Sequence, residues 1–159
     1  MKVKFLINPK WIQLVKKILF TIDDGFSSFY EKAWPYLKEK QIPFILFIST
    51  ESIGKNGYMN WDEIKEIERE SFAFIGNHSH SHDYLLDLSF DLFKADIIKS
   101  VKIFKDNLGY NPIFFSYPFG EFSNKQISFI KIGGFELGFC CFDLYPMVNI
   151  VYPYLISLW

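Results

Sequence analysis

Cysteine, arginine and histidine are scarce in this chain of 159 residues. The two cysteines, Cys140 and Cys141, are adjacent, so they provide no framework of intrachain disulfides, and we expect both to be buried strand residues. Arg69 is the only arginine among 17 basic residues, and the formal net charge is only -1. No cluster of basic residues stands out, which argues against a nucleic-acid-binding protein.

Long apolar segments are missing as well. Near the N-terminus the apolar run Phe5–Ile7 is broken by Asn8 and Pro9, far short of the roughly 7–15 residues of a signal-peptide core. The uncharged stretch 144–159 contains two prolines and is shorter than the roughly 20 residues that span a bilayer. The sequence therefore predicts neither a signal peptide nor a transmembrane segment.

Half of the residues are hydrophobic and a fifth are aromatic, a composition typical of an ordered globular domain. We expect an N-terminal extension over 1–17, one domain over 18–143 and an apolar tail of uncertain structure over 144–159. Five apolar runs predict strands at 18–22, 44–48, 72–75, 113–117 and 135–142. Helices are predicted between them, with N-caps at Ser28, Asn60 and Ser89 and a further helix over 124–132.

Strands that alternate with helices predict a parallel sheet, either open or curled toward a barrel, with ligands at the carboxyl ends of the strands. Three polar segments follow predicted strands directly: Asp23-Asp24, His78 to His82, and Pro118-Phe119. We therefore expect all three segments at one rim of the sheet.

Asp23 and Asp24 can divide two tasks, one carboxylate binding a cation and the other facing a substrate. The alternative is a simple polar turn before Gly25. His78 and His82 are four residues apart, which in a helical turn places both imidazoles on one side, with His80 as a possible substitute. The alternative there is a solvated polar loop.

Two histidines and one carboxylate leave coordination positions open, as in sites where a divalent ion such as zinc activates water. A nonhaem iron oxygenase also uses such ligands, but the Asp-Asp-Gly element fits it less well.

Four segments resemble motifs of the polysaccharide deacetylase family, the NodB homology domain. They are Thr21 to Gly25, Gly57 to Trp61, His78 to His82 and Ser116 to Gly120, and they occur in the family's order. The resemblance implies a distorted (β/α) barrel that removes N-acetyl groups from the amino sugars of a glycan. It also implies action at the cell envelope or outside the cell.

By its motif positions, the resemblance implies that Asp24, His78 and His82 hold a divalent metal, preferably zinc, and that Asp23 is the general base. The backbone N–H of Phe119 would stabilise the oxyanion. The residues expected to contact the N-acetylated glycan are Trp61, Tyr117, Pro118 and Phe119, although the three aromatic side chains could instead be packing residues.

The chain departs from the family pattern at two points. Ser116 stands where many members have an arginine that orients the base, and no histidine follows His82 to act as general acid. Five predicted strands also fall short of the family's usual seven or so, so we expect a barrel that is incomplete at its C-terminal end. There are therefore two alternatives to an active hydrolase. One is a catalytically impaired homologue that binds a metal or a glycan, and the other is a truncated product that folds poorly.

Overall fold

A computed structural model describes residues 19–140 and the backbone of residues 156–157. One parallel sheet runs in the order β5-β4-β3-β2-β1-β6. Its strands are β1 (Phe20–Ile22), β2 (Phe44–Ile48), β3 (Ala73–Asn77), β4 (Phe114–Ser116), β5 (Leu137–Phe139) and β6 (Ile156–Ser157). The helices are α1 (Trp34–Lys40), α2 (Trp61–Glu68), α3 (Phe90–Leu108) and α4 (Asn124–Ile132). A π-helical segment, Phe29–Ala33, precedes α1, and a 3-10 turn, Pro118–Gly120, follows β4.

The strand order places the fold among barrel-like α/β proteins. From β1 to β5 each strand lies beside its predecessor, without the reversal of a doubly wound sheet. The rings of Phe47 on β2 and Phe139 on β5 have centroids 5.1 Å apart. With about 4.8 Å between neighbouring strands, β2 and β5 would lie roughly 14 Å apart in a flat sheet. The sheet is therefore curled, and the prediction of an α/β fold of the incomplete-barrel type is confirmed.

The convex face of the sheet carries the larger part of the hydrophobic core. Alternate residues of β2, namely Phe44, Leu46 and Ile48, are fully buried there. Helices α2 and α3 cover them with Ile64, Ile67 and Phe104, which are buried as well. Each fully buried side chain of this size contributes roughly 1.5–3 kcal/mol relative to exposure.

The concave face is apolar but less completely covered. Phe47 lies over Gly76 of β3, where an added Cβ would stand only 2.3 Å from the Phe47 ring. Glycine is thus required at this position so that the aromatic ring fits against β3. Further along β3, Phe74 contacts Phe114 of β4 at a centroid distance of 6.0 Å yet remains 40% exposed.

The register of the strands brings three of their carboxyl ends to one edge. Ile22 pairs with Leu46, and Asn77 pairs with both Ile48 and Phe115. The loops that follow β1, β3 and β4 consequently meet at this edge, which we call the rim. The predicted convergence of the three polar segments is a direct result of this register.

Several predicted boundaries are confirmed, and one predicted cap is wrong. Helix α4 and strand β2 have the predicted bounds, and Asn60 and Ser89 cap their helices with side-chain hydrogen bonds. Ser28 makes no such bond because its backbone is already helical (φ -61°, ψ -29°). Its hydroxyl therefore cannot take the position of an N-cap acceptor.

The remaining predictions on elements have mixed outcomes. Cys140 follows β5 and is half-buried rather than a buried strand residue, and Cys141 lies outside the described residues. Within the predicted tail, β6 pairs in parallel with β1, while the rest of that tail and the N-terminal extension lie outside the described residues. Among the helices of the described chain, none is long and apolar enough to cross a membrane.

Candidate active site

Asp24, His78 and His82 converge at the rim. Asp24 Oδ1 lies 3.0 Å from His82 Nε2 and 3.6 Å from His78 Nε2. In the described part of the chain, this trio is the only group of potential ligands whose donor atoms all lie close enough to hold a metal ion, within 4.8 Å of one another. The sequence predicted these three residues as the metal ligands.

The turn after β1 presents the Asp24 carboxylate. Asp24 has a positive φ of 72° and Gly25 a φ of 79°, so two successive residues are left-handed. Aspartate is among the few side chains that tolerate this conformation, and glycine is unstrained in it. A Cβ at Gly25 would also stand 3.1 Å from Ile48. The Asp-Asp-Gly order thus suits a tight turn that packs against the end of β2.

His78 is held in one tautomer. Its Nδ1 lies 2.8 Å from the backbone carbonyl oxygen of Ser116, which can only accept, so Nδ1 carries the proton and Nε2 is left with its lone pair. Burial lowers the pKa of His78 below its ordinary value, so the ring is neutral. A neutral imidazole with its second nitrogen fixed by a carbonyl is the usual form of a histidine metal ligand.

His82 and Asp24 interact directly. The hydrogen bond to Asp24 raises the pKa of His82 above its ordinary value. Burial would raise the pKa of Asp24, but the hydrogen bond from His82 and the positive charge on that ring lower it below the usual range. Asp24 is therefore an ionised carboxylate, as metal coordination requires.

The segment from His78 to His82 is not helical, contrary to the helical turn that we expected. Ser79 (φ 67°) and His82 (φ 59°) are left-handed, so the chain loops back and brings the two rings together at a centroid distance of 4.8 Å. His80 is turned away from the pair, and its Nδ1 lies 2.9 Å from Thr50 Oγ1 in a buried contact. His80 is therefore not a substitute ligand.

The three residues fit a divalent metal ion. Zinc binds nitrogen and oxygen at about 2.0–2.2 Å, so ligand atoms at a tetrahedral centre lie roughly 3.3 Å from one another. The two separations that involve Asp24, 3.0 and 3.6 Å, lie on either side of that value, and all three ligand atoms lie within 4.8 Å of one another. Two imidazoles and one carboxylate are also a donor set that zinc accepts.

Asp23 is the second carboxylate of the rim. Its Oδ1 is buried and has no hydrogen-bond partner among the described residues, and a buried polar atom of this kind calls for an explanation such as a catalytic role or a bound ion. Burial raises the pKa of Asp23, and the negative charge of the Asp24 carboxylate adds to the increase. The Ser116 side chain forms a hydrogen bond that acts in the opposite direction. A raised pKa makes Asp23 a better proton acceptor than an ordinary aspartate.

The predicted substrate contacts differ in accessibility. Phe119 has a left-handed backbone (φ 60°) and is 54% exposed, and its ring contacts those of His82 and Tyr84 at centroid distances of 5.1 and 5.7 Å. Tyr117 is only 2% exposed and packs against Phe115 and Phe122. The alternative of a packing role is thus favoured for Tyr117.

Trp61 and Pro118 are also placed by packing. Trp61 opens α2, and its ring meets Phe104 edge-on at 6.3 Å, which again favours the packing role. Pro118 is buried and begins the 3-10 turn that carries Phe119. The prediction that these residues contact a substrate is not tested by their positions.

Sequence reasoning missed the residues that support the rim loops. Asp96 on α3 accepts hydrogen bonds from the backbone N–H groups of His80 and Ser81, at 2.8 and 2.9 Å. Asn77 accepts one from Ser79 N–H at 2.8 Å. In the sequence, Asp96 is recognisable only as a carboxylate directly before Ile97, one of the apolar residues on the buried side of the helix. This pattern is too common to indicate a role.

Comparisons with known proteins identify the family. The family model described as polysaccharide deacetylase matches residues 13–137. The chain is similar to poly-beta-1,6-N-acetyl-D-glucosamine N-deacetylase of Staphylococcus aureus, with 28% identity over 156 residues that cover 86% of this chain and 54% of that protein. It spans about half the length of the curated relatives that it matches.

Solved structures give the same picture. IcaB from Ammonifex degensii is 29% identical, with a TM-score of 0.70 over 77% of this chain and 58% of that one. The Streptococcus pyogenes deacetylase PplD has a TM-score of 0.73 over 79% of this chain and 56% of that one. At 23% identity, the likeness to PplD concerns the fold alone.

Proposed function

The chain belongs to the polysaccharide deacetylase family, and from this premise we propose that it is a metal-dependent hydrolase that removes N-acetyl groups from the amino sugars of a glycan. The observation that carries the proposal is the convergence of Asp24, His78 and His82 within 4.8 Å, beside an Asp23 oxygen that is buried without a partner. The metal ligands and the proposed base, Asp23, lie in the loops that follow β1 and β3 of the same sheet.

The proposed ligands are Asp24 Oδ1, His78 Nε2 and His82 Nε2. A divalent ion bound there, zinc by the nature of the donors, supplies Lewis acidity that polarises a carbonyl and lowers the pKa of water. The protein's part is to keep two of these three ligands in their binding forms. His78 is kept neutral by burial, and Asp24 is kept ionised by His82.

Asp23 is proposed to take the proton of the attacking water. The water oxygen adds to the carbonyl carbon of the acetamide, the proton passes to an Asp23 oxygen, and the carbon–nitrogen bond then breaks to give acetate and a free amine. The backbone N–H of Phe119 would donate to the developing oxyanion. The leaving nitrogen takes up a proton as this bond breaks, and Asp23, which has received the proton of the water, is the group proposed to deliver it.

The aromatic groups beside the ligands support a sugar as the substrate. Phe119 contacts the His82 ring, and Tyr84 extends the exposed aromatic surface while its hydroxyl donates to a Glu121 carboxylate oxygen. Such faces stack against the apolar side of a sugar ring. Because a curated relative is named for poly-beta-1,6-N-acetyl-D-glucosamine, we propose N-acetylglucosamine polymers as the first substrates to test.

The test is acetate release from N-acetylglucosamine oligomers by the full chain, with metal content determined on the same samples. Asp23→Asn keeps the shape of the side chain but removes the base, so the rate should fall by about 10²–10⁴. Asp87→Asn is the matched control, because Asp87 is an exposed carboxylate in the loop that follows His82. Equal rates in Asp23→Asn and the parent chain would contradict the proposed role.

A second candidate function is metal and glycan binding without turnover, favoured by Ser116, which stands where many family members have an arginine that orients the base. It predicts stoichiometric metal in the purified chain, binding of the oligomers and no release of acetate above the Asp23→Asn background. Acetate release that depends on Asp23 would exclude it.

A further inference from the structure

We infer that Asp96 is a positioning residue for the metal centre, whose carboxylate from α3 holds the loop between His78 and His82 in the conformation that joins the two imidazoles. This inference rests on the proposed metal-dependent function. The segment from His78 to His82 lacks the helical hydrogen bonds that would bring residues four apart onto one side. Other contacts must therefore hold the two imidazoles together.

Both oxygens of Asp96 are used. Oδ1 accepts from His80 N–H at 2.8 Å and Oδ2 accepts from Ser81 N–H at 2.9 Å. A carboxylate that accepts from two successive backbone N–H groups forms two charge-assisted hydrogen bonds, which are stronger than neutral ones. The pair fixes the orientation of the two peptide groups and not merely their distance from the helix.

The opposite side of the loop is held by the segment after β2. Thr50 N–H donates to Ser79 O at 3.2 Å, and Glu51 N–H donates to His80 O at 3.0 Å. The Ser49 hydroxyl also donates to His80 O, at 2.8 Å. These donors satisfy carbonyl groups only, so Asp96 supplies the acceptors that the N–H groups of His80 and Ser81 need.

Helix α3 contacts the loop through a second polar residue on the same face. Ser100, one turn after Asp96, hydrogen-bonds with the Asn77 side chain at 2.8 Å. Asn77 in turn accepts from Ser79 N–H at 2.8 Å, and Ser79 Oγ accepts from His82 N–H at 3.1 Å. The helix therefore stabilises both left-handed residues, Ser79 and His82, which would otherwise favour other conformations.

The experiment compares Asp96→Ala and Asp96→Asn with the parent chain, using Zn²⁺ competition against a chromophoric chelator and the visible spectrum of the Co²⁺-loaded protein. We expect Asp96→Ala to lose about 10- to 100-fold in metal affinity, as is typical of residues that orient metal ligands. Asp96→Asn should lose less, because its amide oxygen can still accept one of the two bonds. The Co²⁺ spectrum should change in both variants.

Asp106→Asn is the matched control, since it removes a carboxylate from the same helix at an exposed position paired with Lys102 at 2.6 Å. Its affinity and spectrum should match those of the parent chain. Parent-like affinity and an unchanged Co²⁺ spectrum in both Asp96 variants would overturn the inference. If Asp96→Ala fails to melt cooperatively, the nearly isosteric Asp96→Asn decides.

Amide hydrogen exchange provides a readout that needs no metal. The N–H groups of His80 and Ser81 should exchange faster in Asp96→Asn than in the parent chain, while those of α4 remain unchanged. A parent chain that binds no metal would refute the proposed metal centre alone. In that case, equal exchange at His80 and Ser81 in parent and variant would refute the role of Asp96.

Discussion

The rim and the convex face of the sheet are built on opposite principles. On the convex face, side chains such as Phe44, Leu46 and Phe104 are fully buried among other apolar groups. At the rim, Asp24 and His82 have left-handed backbones, and one Asp23 oxygen is buried without a partner. The convex face is thus satisfied by the folded chain itself, whereas the rim retains a buried carboxylate oxygen that has no partner in the described part of the chain.

This contrast separates stability from chemistry. Strained backbone conformations and unpartnered polar atoms each cost roughly 1–3 kcal/mol, and they persist because the apolar face below them offsets that cost. Substitutions on the convex face should therefore lower stability without changing the ligands. Isosteric substitutions of the metal ligands should weaken metal binding without lowering stability.

The largest effect is expected for Phe104→Ala on the convex face. Phe104 is fully buried, so the change should lower the free energy of unfolding by roughly 3–5 kcal/mol. Phe74→Ala is the matched control on the concave face, where Phe74 is 40% exposed, and should cost less than about 2 kcal/mol. Urea unfolding of the metal-free chain measures the free energy of unfolding of both variants. Equal decreases would contradict the proposed difference between the two faces.

A loss of metal affinity of at least about 100-fold is expected for Asp24→Asn, since an amide oxygen replaces an anionic ligand. Asparagine tolerates the left-handed backbone at this position (φ 72°). The melting temperature of the metal-free chain should therefore stay close to that of the parent. Competition with a chelator and thermal melts in its excess would test the two halves of the prediction, and a strong destabilisation would show that the rim also carries stability.

A smaller effect is expected for Gly76→Ala on the concave face. The new Cβ would stand 2.3 Å from the Phe47 ring, and overpacking of this kind costs roughly 1–3 kcal/mol. The loss should shrink when Phe47 is replaced by leucine, so a double-mutant cycle measured by urea unfolding should give a favourable coupling energy. Additive losses would mean that the Phe47 ring is not what makes alanine unfavourable at position 76.

The sequence predicted the parts of this molecule that depend on local pattern. The apolar run of β2, the capping pair Asn60 and Glu63, and the bounds of α4 follow from side chains within a few residues of one another. Ser28 was predicted to cap a helix on the same grounds, but its backbone is already helical. Contacts from elsewhere in the chain, such as Ser27 N–H to Gly57 O at 2.9 Å, determine that conformation.

For the site, the resemblance to the family's motifs implied Asp24, His78 and His82 as ligands, whereas the residues alone left open which aspartate binds the cation and whether His80 is a substitute. The sequence by itself determined the alternation of strands and helices, because hydrophobic period and capping are local properties. Only the tertiary structure decided how the ligands meet: Asp96 lies 14 residues beyond His82 in the sequence and Ser116 lies 38 beyond His78, yet both hold the histidine segment. Hydrogen bonds of this kind depend on strand register and helix packing, and no local pattern encodes them.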